Sequence, residues 1–302
     1  MEIWVLLSLG AAIFQTLRFV LQKFLSDTGL GVDGATFSRF IYSAPVLLVI
    51  APIWFGYFGY PTVNKNFLIF CVIGGISQIF ATLCVIALFK QRNFAVGMAF
   101  KKTETLQIAL VSLIVLGEKV STTAFYAICV GFIGLILLSK EAYQTSFFKY
   151  GIFNRSVLLG LLSGFLFAIS GVYYRASTLS VLDENSINRA ILTLTCVLVF
   201  QVIIMGGWLL IFNRRELIVV WKARNIAVWV GLTSLVGSFF WFWAFSLVNA
   251  ALVKAVGQIE LLFSILASTV LFKEKITFRE LIGIFTIMLL SLIHISEPTR
   301  PY

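Results

Sequence analysis

Residues 93–119 read NFAVGMAFKKTETLQIALVSLIVLGEK, and residues 249–275 repeat the pattern of this stretch 156 positions later. Apolar matches arise easily by chance in an apolar sequence, but paired charges at one spacing do not. The two stretches therefore predict a chain built from two homologous halves. Identical residues in this register include Asn93 and Asn249, Ala95 and Ala251, Ala99 and Ala255, Glu104 and Glu260, Leu106 and Leu262, Ser112 and Ser268, Glu118 and Glu274, and Lys119 and Lys275.

The composition is that of a polytopic membrane protein. Of the 302 residues, 60% are hydrophobic and only 12% are charged, whereas about a quarter of the residues in a soluble domain carry charge. A membrane-spanning helix needs about 20 mostly apolar residues, and such runs recur along the whole chain. They predict ten transmembrane helices, at about residues 3–21, 36–56, 67–89, 94–116, 122–139, 156–174, 189–211, 226–247, 250–272 and 277 to the end.

Ten helices in two halves give five helices in each half. Because five is an odd number, the second half enters the membrane from the opposite side, which produces inverted repeats and is typical of transporters. A shift of 150 positions near the start of each half agrees with this division, since it pairs Asp33 with Asp183 and Arg39 with Arg189. The predicted fold is therefore an all-α integral membrane protein with two inverted five-helix repeats. The predicted boundaries are 1–140 for the first repeat, 141–155 for a connecting loop and 156–289 for the second repeat.

The C-terminal segment has a different character. Residues 290–302 read LSLIHISEPTRPY, which resembles the translation of a transposase-type sequencing adapter read in frame. We expect the tenth helix to be truncated near residue 289, and His294, Glu297 and Arg300 to have no function. The alternative is a genuine, short and polar C-terminus.

Lysine and arginine residues are divided unequally between the two sets of loops. The loops after helices 1, 3, 5, 7 and 9 carry most of them, whereas the other loops carry little more than Lys65 and Lys119, with Arg175 and Arg189 at their margins. Positive charge accumulates on the cytoplasmic side of a membrane protein. The sequence therefore predicts a multi-pass protein of the inner (plasma) membrane with its N-terminus outside.

Each half ends one helix with an acidic-basic group, Gly117-Glu118-Lys119 or Lys273-Glu274-Lys275, and a glycine-containing helix follows. With the opening MEIWVLLSLGAAIFQTLRFVLQKFL and the stretch GATFSRFIYSAPVLL, the chain resembles the EamA-like ten-helix transporters of the drug/metabolite transporter superfamily, from residue 1 to about residue 290. The resemblance implies a secondary transporter that exports amino acids, other small metabolites or drugs. Characterised relatives are described with both termini in the cytoplasm, which differs from the orientation that the loop charges predict.

The candidate site is the polar stretch in the middle of helices 4 and 9. An ionisable side chain in the hydrocarbon region costs roughly 2.5–3.5 kcal/mol on insertion scales, so it normally faces a partner or a water-filled path. Lys101 and Glu104 share a helix face at i, i+3, whereas Lys102 is expected to point elsewhere. In the second half, Lys254 and Gln258 share a face at i, i+4, and Glu260 occupies the place of Glu104.

These residues predict a central polar cavity that binds a small zwitterionic or charged metabolite. The alternative is a set of structural ion pairs that holds helices 4 and 9 together. Gln15, Arg18 and Gln22 form a polar stripe on helix 1, which either lines the same cavity or lets Arg18 extend to the membrane interface. Trp241 either stacks on the substrate or packs between helices.

Arg39 and Arg189 start helices 2 and 7 in equivalent places, and we expect them to be anchors at the level of the lipid headgroups. Their positions near predicted helix ends are the basis for this expectation.

The sequence shows no nucleotide-binding loop, no metal-ligand cluster and no pair of nucleophile and base, so we expect no cofactor, no metal and no catalytic residue. The predicted function is therefore a secondary transporter and not an enzyme. The alternatives are a lipid-modifying membrane enzyme that uses the buried carboxylates, and a scaffold in which the ion pairs are only structural. The predicted partners are a small-molecule substrate and the lipid bilayer. Proton coupling and the choice between monomer and homodimer stay open, and the scattered basic residues argue against nucleic acid.

Overall fold

The computed structural model describes residues 2–27, 29–92, 94–116, 155–278 and 281–286. The predicted fifth helix at 122–139, the group Gly117-Glu118-Lys119 and the tail at 290–302 lie outside these residues, as does the connecting loop up to residue 154.

The described part of the chain is almost entirely helical. Seven segments are long and apolar enough to cross a membrane: Ile3–Asp27, Val32–Phe58, Phe67–Phe89, Arg155–Leu179, Ser186–Phe212, Arg224–Leu247 and Ala250–Leu271. They coincide with seven of the ten predicted helices. Residues 281–286 are helical and lie within the predicted tenth helix. The structure thus confirms a multi-helical protein with membrane-spanning segments, and the full count of ten stays a prediction.

The helices and strands are numbered here in chain order. They are α1 (Ile3–Asp27), α2 (Val32–Ile41), α3 (Ala44–Phe58), β1 (Thr62–Val63), α4 (Phe67–Phe89), α5 (Phe94–Lys101), α6 (Glu104–Leu116), α7 (Arg155–Leu179), β2 (Val181–Leu182), α8 (Ser186–Phe212), α9 (Arg214–Lys222), α10 (Arg224–Leu247), α11 (Ala250–Val256) and α12 (Glu260–Leu266). A 3₁₀ turn at Gly257–Ile259 joins α11 to α12, and a π-helical turn at Ala267–Leu271 follows α12.

The second predicted helix is broken into α2 and α3. Pro45 lies in the first turn of α3, where its missing N–H does no harm because that group has no partner within the helix. A continuous helix would instead bring the proline ring against the carbonyl of residue 41, which is the last residue of α2. The break therefore follows from one residue.

The fourth and ninth helices are broken at the same register. In the first half α5 ends at Lys101 and α6 begins at Glu104; in the second half the 3₁₀ turn covers Gly257–Ile259 and α12 begins at Glu260. The 156-residue shift places Glu104 on Glu260. The discontinuity thus recurs in both halves, in agreement with the repeat in the sequence.

The packing of the helices follows the same symmetry. The most extensive pairings in the described chain are α1 with α10 and α4 with α7. These are helices 1 and 8, and helices 3 and 6, in the ten-helix count. A five-helix repeat converts helix 1 into helix 6 and helix 3 into helix 8, so it exchanges one pairing for the other. A two-repeat architecture explains both pairings together.

Segments at the loops after helices 1, 3, 5 and 9, which carry most of the basic residues, contact one another in pairs. Lys23 pairs with Glu274, and Ser156 Oγ donates to Gln91 Oε1 at 3.1 Å. At the other set of loops, β1 and β2 form a short antiparallel pair with Thr62 opposite Leu182. The contacts agree with the alternation of loops that the sequence predicts.

Helix α9 has no counterpart among the predicted helices. It is a short segment, RRELIVVWK, between two long apolar helices. Glu216 Oε2 accepts the backbone N–H of Gly31 at 3.0 Å, next to the start of α2. A Cβ atom at Gly34 would lie 2.3 Å from the same carboxylate oxygen. Glycine at this position therefore leaves room for the Glu216 carboxylate, which would have to move if a larger residue replaced it.

Candidate functional site

All nine residues predicted for the site are buried, and the structure brings most of them into one charge cluster. They are Gln15, Arg18, Lys101, Lys102, Glu104, Trp241, Lys254, Gln258 and Glu260, none of which is more than 7% exposed. The two glutamates and the three lysines are contributed by the breaks in the fourth and ninth helices and the segments that flank them.

The two glutamates share one lysine. Lys101 Nζ lies 3.2 Å from Glu104 Oε2 and 3.4 Å from Glu260 Oε2. Lys254 Nζ lies 2.7 Å from Glu104 Oε1, and Lys102 Nζ lies 2.6 Å from Glu260 Oε2. The ion pairs therefore connect the two halves of the chain in both directions.

Glu104 is the first residue of α6, a helix of 13 residues. Carboxylates are favoured in this position because the N-terminus of a helix carries partial positive charge. The break thus stabilises the carboxylate in two ways, through the helix end and through its lysine partners.

The expectation that Lys102 points away from this cluster is wrong. Its ammonium group pairs with Glu260 and also donates to the carbonyl oxygen of Gly257 at 2.8 Å. The expectation assumed a continuous helix, in which neighbouring side chains diverge by 100°. Because α5 ends at Lys101, that geometry does not apply to the next residue.

Gln15 and Trp241 support Glu260 from α1 and α10. The indole Nε1 of Trp241 donates to Gln15 Oε1 at 3.0 Å, and Gln15 Nε2 donates to Glu260 Oε2 at 2.9 Å. Lys254 Nζ lies 4.2 Å from the centroid of a Trp241 ring, within the range of a cation–π contact. Trp241 thus contacts the charges directly and not only neighbouring apolar side chains.

The polar stripe on helix 1 is also buried. Arg18 is only 2% exposed, so it does not extend to the membrane interface. Its Nη1 donates to Gln22 Oε1 at 3.0 Å, and its Cζ lies 3.9 Å from the centroid of the Phe19 ring. On the ninth helix, Gln258 Nε2 donates to Thr105 Oγ1 at 2.5 Å and links the two breaks.

Arg39 is not the headgroup anchor that the sequence predicts. It is 3% exposed, and its Nε donates to Ser234 Oγ at 2.8 Å while its Nη1 donates to Thr82 Oγ1 at 3.2 Å. Ser238 Oγ accepts from Nη2 at 3.4 Å. The expectation failed because Arg39 lies near the end of α2 and not at the start of a long helix. The sequence did contain a signal for these partners of Arg39, namely two serines spaced i, i+4 in an apolar run, Ser234 and Ser238.

Other buried polar residues next to Arg39 were also missed. Tyr174 donates its hydroxyl to Gln78 Oε1 at 3.0 Å, and Gln201 Nε2 donates to the same oxygen at 3.0 Å. Gln78 and Gln201 are isolated amides in long apolar runs. Amides in such a position mark polar contacts between helices.

A small cavity lies between the charge cluster and the Arg39 group. Its volume is about 10 Å³, which is room for about one water molecule. It is lined by Gln15, Gln78, Phe167, Ser170, Gly171, Tyr174, Ser238, Trp241, Phe242, Phe245 and Lys254. The helices are therefore packed closely around a polar centre at this point.

Comparison with known proteins identifies the family. The family model described as "EamA-like transporter family" matches residues 2–140 and again residues 154–296. The chain belongs to the EamA-like transporter family. The resemblance noted in the sequence is thereby confirmed, and the two matches correspond to two repeats. Members of this family are membrane transporters of the drug/metabolite type, which implies a small-molecule substrate and a lipid environment.

Solved structures agree with this fold. Twenty-seven chains match significantly, and one, described only as "Crystal structure of protein", has a TM-score of 0.64 at 13% sequence identity. The alignment covers 96% of this chain and 95% of that one. At this identity the likeness shows the fold alone. Among curated proteins there is no significant match.

Proposed function

We propose that this EamA-like protein exports a small metabolite or an amino acid by alternating access around the buried charge cluster. The observation that carries the proposal is the position of Lys101 between Glu104 and Glu260. Two carboxylates related by the repeat share one cation at the place where both half-helices meet. Inverted-repeat transporters bind their substrates near the membrane midplane, at discontinuous helices of this kind.

The ion pairs give the protein a means of switching between two arrangements. Glu104 pairs with Lys101 and Lys254, and Glu260 pairs with Lys101 and Lys102. A charged group of a substrate can therefore replace one lysine while the glutamate keeps the other. A substrate also requires more space than the cavity of about 10 Å³ provides, so the helices must separate for it to bind. Export down a concentration gradient needs no further ion, and proton exchange at a glutamate is an additional hypothesis.

The test compares bacteria that overproduce the wild-type protein with bacteria that produce the Glu104→Gln, Glu260→Gln variant at an equal level. Mass spectrometry of the medium measures which compounds accumulate outside the cells. We expect one compound class to accumulate with the wild-type protein and not with the variant. Glu184→Gln is the matched control, because that carboxylate is exposed in the loop before α8 and should leave export unchanged.

A structural role for the cluster is the second candidate, since the ion pairs are buried and join the two halves. The single variant Glu104→Gln separates the two functions. Loss of export by a protein that is folded and present in the membrane supports a transport site. Loss of folded protein, measured by size-exclusion chromatography of detergent extracts, supports a scaffold. Equal export by the double variant and the wild-type protein would remove the glutamates from the site.

A further inference from the structure

The buried polar centre carries more positive than negative charge. Within the described residues, five cations that are at most 5% exposed accompany the two buried glutamates: Arg18, Arg39, Lys101, Lys102 and Lys254. The sixth buried cation, Lys23, pairs with Glu274 at one end of the helices and is not part of this group. Five cations against two carboxylates leave an excess of three positive charges.

Arg39 has hydroxyl partners in place of a carboxylate. Its donors are directed at Ser234, Thr82 and Ser238, at 2.8, 3.2 and 3.4 Å. No described carboxylate pairs with it. Neutral hydroxyl groups satisfy the geometry of the guanidinium but do not neutralise its charge, and an uncompensated charge in a low-dielectric interior is strongly unfavourable.

Arg18 is only partly satisfied. Its Nη1 donates to Gln22, but its Nη2 makes no hydrogen bond to any described protein atom. A guanidinium at 2% exposure with an unused donor is unusual, since buried polar groups are almost always hydrogen-bonded. Arg18 and Arg39 thus contribute two cations that form no ion pair with a described carboxylate, although Glu260 and Glu104 attract Arg18 from a greater distance.

One of the five cations, Lys254, lines the small cavity, and Arg39 lies next to it behind Ser238. Lys254 and Gln15 line the cavity on the side of the charge cluster, and Ser238, which accepts from Arg39, lines it on the other side. The cavity therefore lies between a lysine that already binds Glu104 and an arginine that binds only hydroxyl groups. An anionic group placed here would be attracted from both sides.

We propose that the transported molecule is an organic anion, whose carboxylate or phosphate group binds at this cavity between Arg39 and Lys254. This rests on the proposed transport function and narrows its substrate class. The guanidinium fork of arginine matches both kinds of anion, because each offers two oxygens that can accept parallel N–H hydrogen bonds. A zwitterion would bring an ammonium group into a region that already has an excess of cations, and a cationic drug would be repelled.

The first test measures the charge excess without any substrate. Ser234→Asp places a carboxylate next to Arg39 Nε, and Ser234→Asn is its neutral match in size. With an uncompensated cation at this place, the detergent-purified Asp variant should melt several degrees above the Asn variant at pH 7. Melting of the Asp variant at or below the temperature of the Asn variant would overturn the proposal, including the case in which only the Asp variant fails to fold.

The second test uses small molecules extracted from the expression host, separated by ion exchange at pH 7 into anionic, zwitterionic or neutral, and cationic fractions. The anionic fraction alone should raise the melting temperature of the wild-type protein, since a ligand that binds the folded state stabilises it. Ser234→Asp should lose this stabilisation because its own carboxylate competes. Mass spectrometry of the retained compound then distinguishes a carboxylate from a phosphate.

Stabilisation by the zwitterionic or cationic fraction to an equal or larger degree would overturn the anion proposal and leave the transport function intact. Stabilisation by no fraction would overturn the binding site itself. If the anionic fraction binds but the glutamate variants still export normally, the anion site stands and the proposed role of the glutamates fails. The two proposals are therefore tested separately.

Discussion

Lys254 of the second repeat lies 2.7 Å from Glu104 of the first repeat, and both side chains are buried. Lys101 approaches Glu260 in the opposite direction, from the first repeat to the second, at 3.4 Å. The contacts between halves are thus reciprocal. The 156-residue register makes Glu104 and Glu260 equivalent, but it pairs Lys254 with Met98 and Lys101 with Gly257. The two repeats therefore supply these cations from different positions.

Removal of one partner should be more harmful than removal of both. Lys254→Met leaves Glu104 with Lys101 as its remaining pair, and breaking a buried ion pair costs about 3–5 kcal/mol. The double variant Lys254→Met, Glu104→Gln should recover part of the lost melting temperature. Melting curves of the wild-type protein, both single variants and the double variant give the coupling between the residues. Additive effects would show that the contact contributes nothing.

A glycine on α10 allows close contact with the break in the second helix. A Cβ atom at Gly231 would lie 2.4 Å from Tyr42 Cβ and 2.9 Å from the Tyr42 carbonyl carbon. Because the backbone there cannot move freely, Gly231→Ala should destabilise the protein by about 1–3 kcal/mol, as overpacking does in other cores. Gly207→Ala is the control, since nothing lies within 4 Å of its Cβ position. The prediction fails if both variants melt at the same temperature.

The orientation in the membrane can be tested with single-cysteine variants of a protein whose four native cysteines have been replaced. Loop charges predict that Arg215 is cytoplasmic and Lys65 is outside. The pairing of Val63 with Val181 places the loop between helices 6 and 7, which belongs to the same set, near Lys65. We expect a membrane-impermeant maleimide to label Lys65→Cys on intact cells and Arg215→Cys only after lysis. The reverse pattern would place the N-terminus in the cytoplasm, as described for characterised relatives.

The sequence was sufficient to predict the repeat, the family and most of the charge cluster. The reason is physical, since charges in apolar helices are few and their spacing is easily recognised. Glu104 and Glu260 could be paired from their register alone. The prediction for Lys102 failed because a helix break changes the direction of a side chain, and no proline marks that break.

Arg39 shows a second limit of the sequence. A charge near a predicted helix end favours an interface position, and only the packing of α4 and α10 around α2 shows that its partners are Thr82, Ser234 and Ser238. Hydroxyl groups give a weak signal because serine and threonine are common in membrane helices. The net charge of the centre therefore became apparent only once Arg18 and Arg39 were both seen to be buried.

The contact between Lys23 and Glu274 should control access to one end of the molecule. Glu274 Oε2 also accepts the backbone N–H of Phe94 at 2.7 Å and the hydroxyl of Ser268 at 2.5 Å, so one side chain joins α1, α5 and the segment after α12. A cavity of about 590 Å³ lies beside it, with Ser26 in its wall.

Glu274→Gln retains oxygen and size but removes the charge that pairs with Lys23. A buried lysine without its partner is drawn toward water, which should loosen the packing of α1 against the segment after α12. We therefore expect Ser26→Cys, which is 7% exposed in the wild-type arrangement, to react several times faster with maleimide when Glu274→Gln is also present. Glu184→Gln should leave the rate unchanged, because it lies in the loop next to β2. If Glu274→Gln does not fold, Ser268→Ala removes only one of the three contacts of the Glu274 side chain and should give a smaller increase. An unchanged rate in both variants would show that the contact has no part in closing this end.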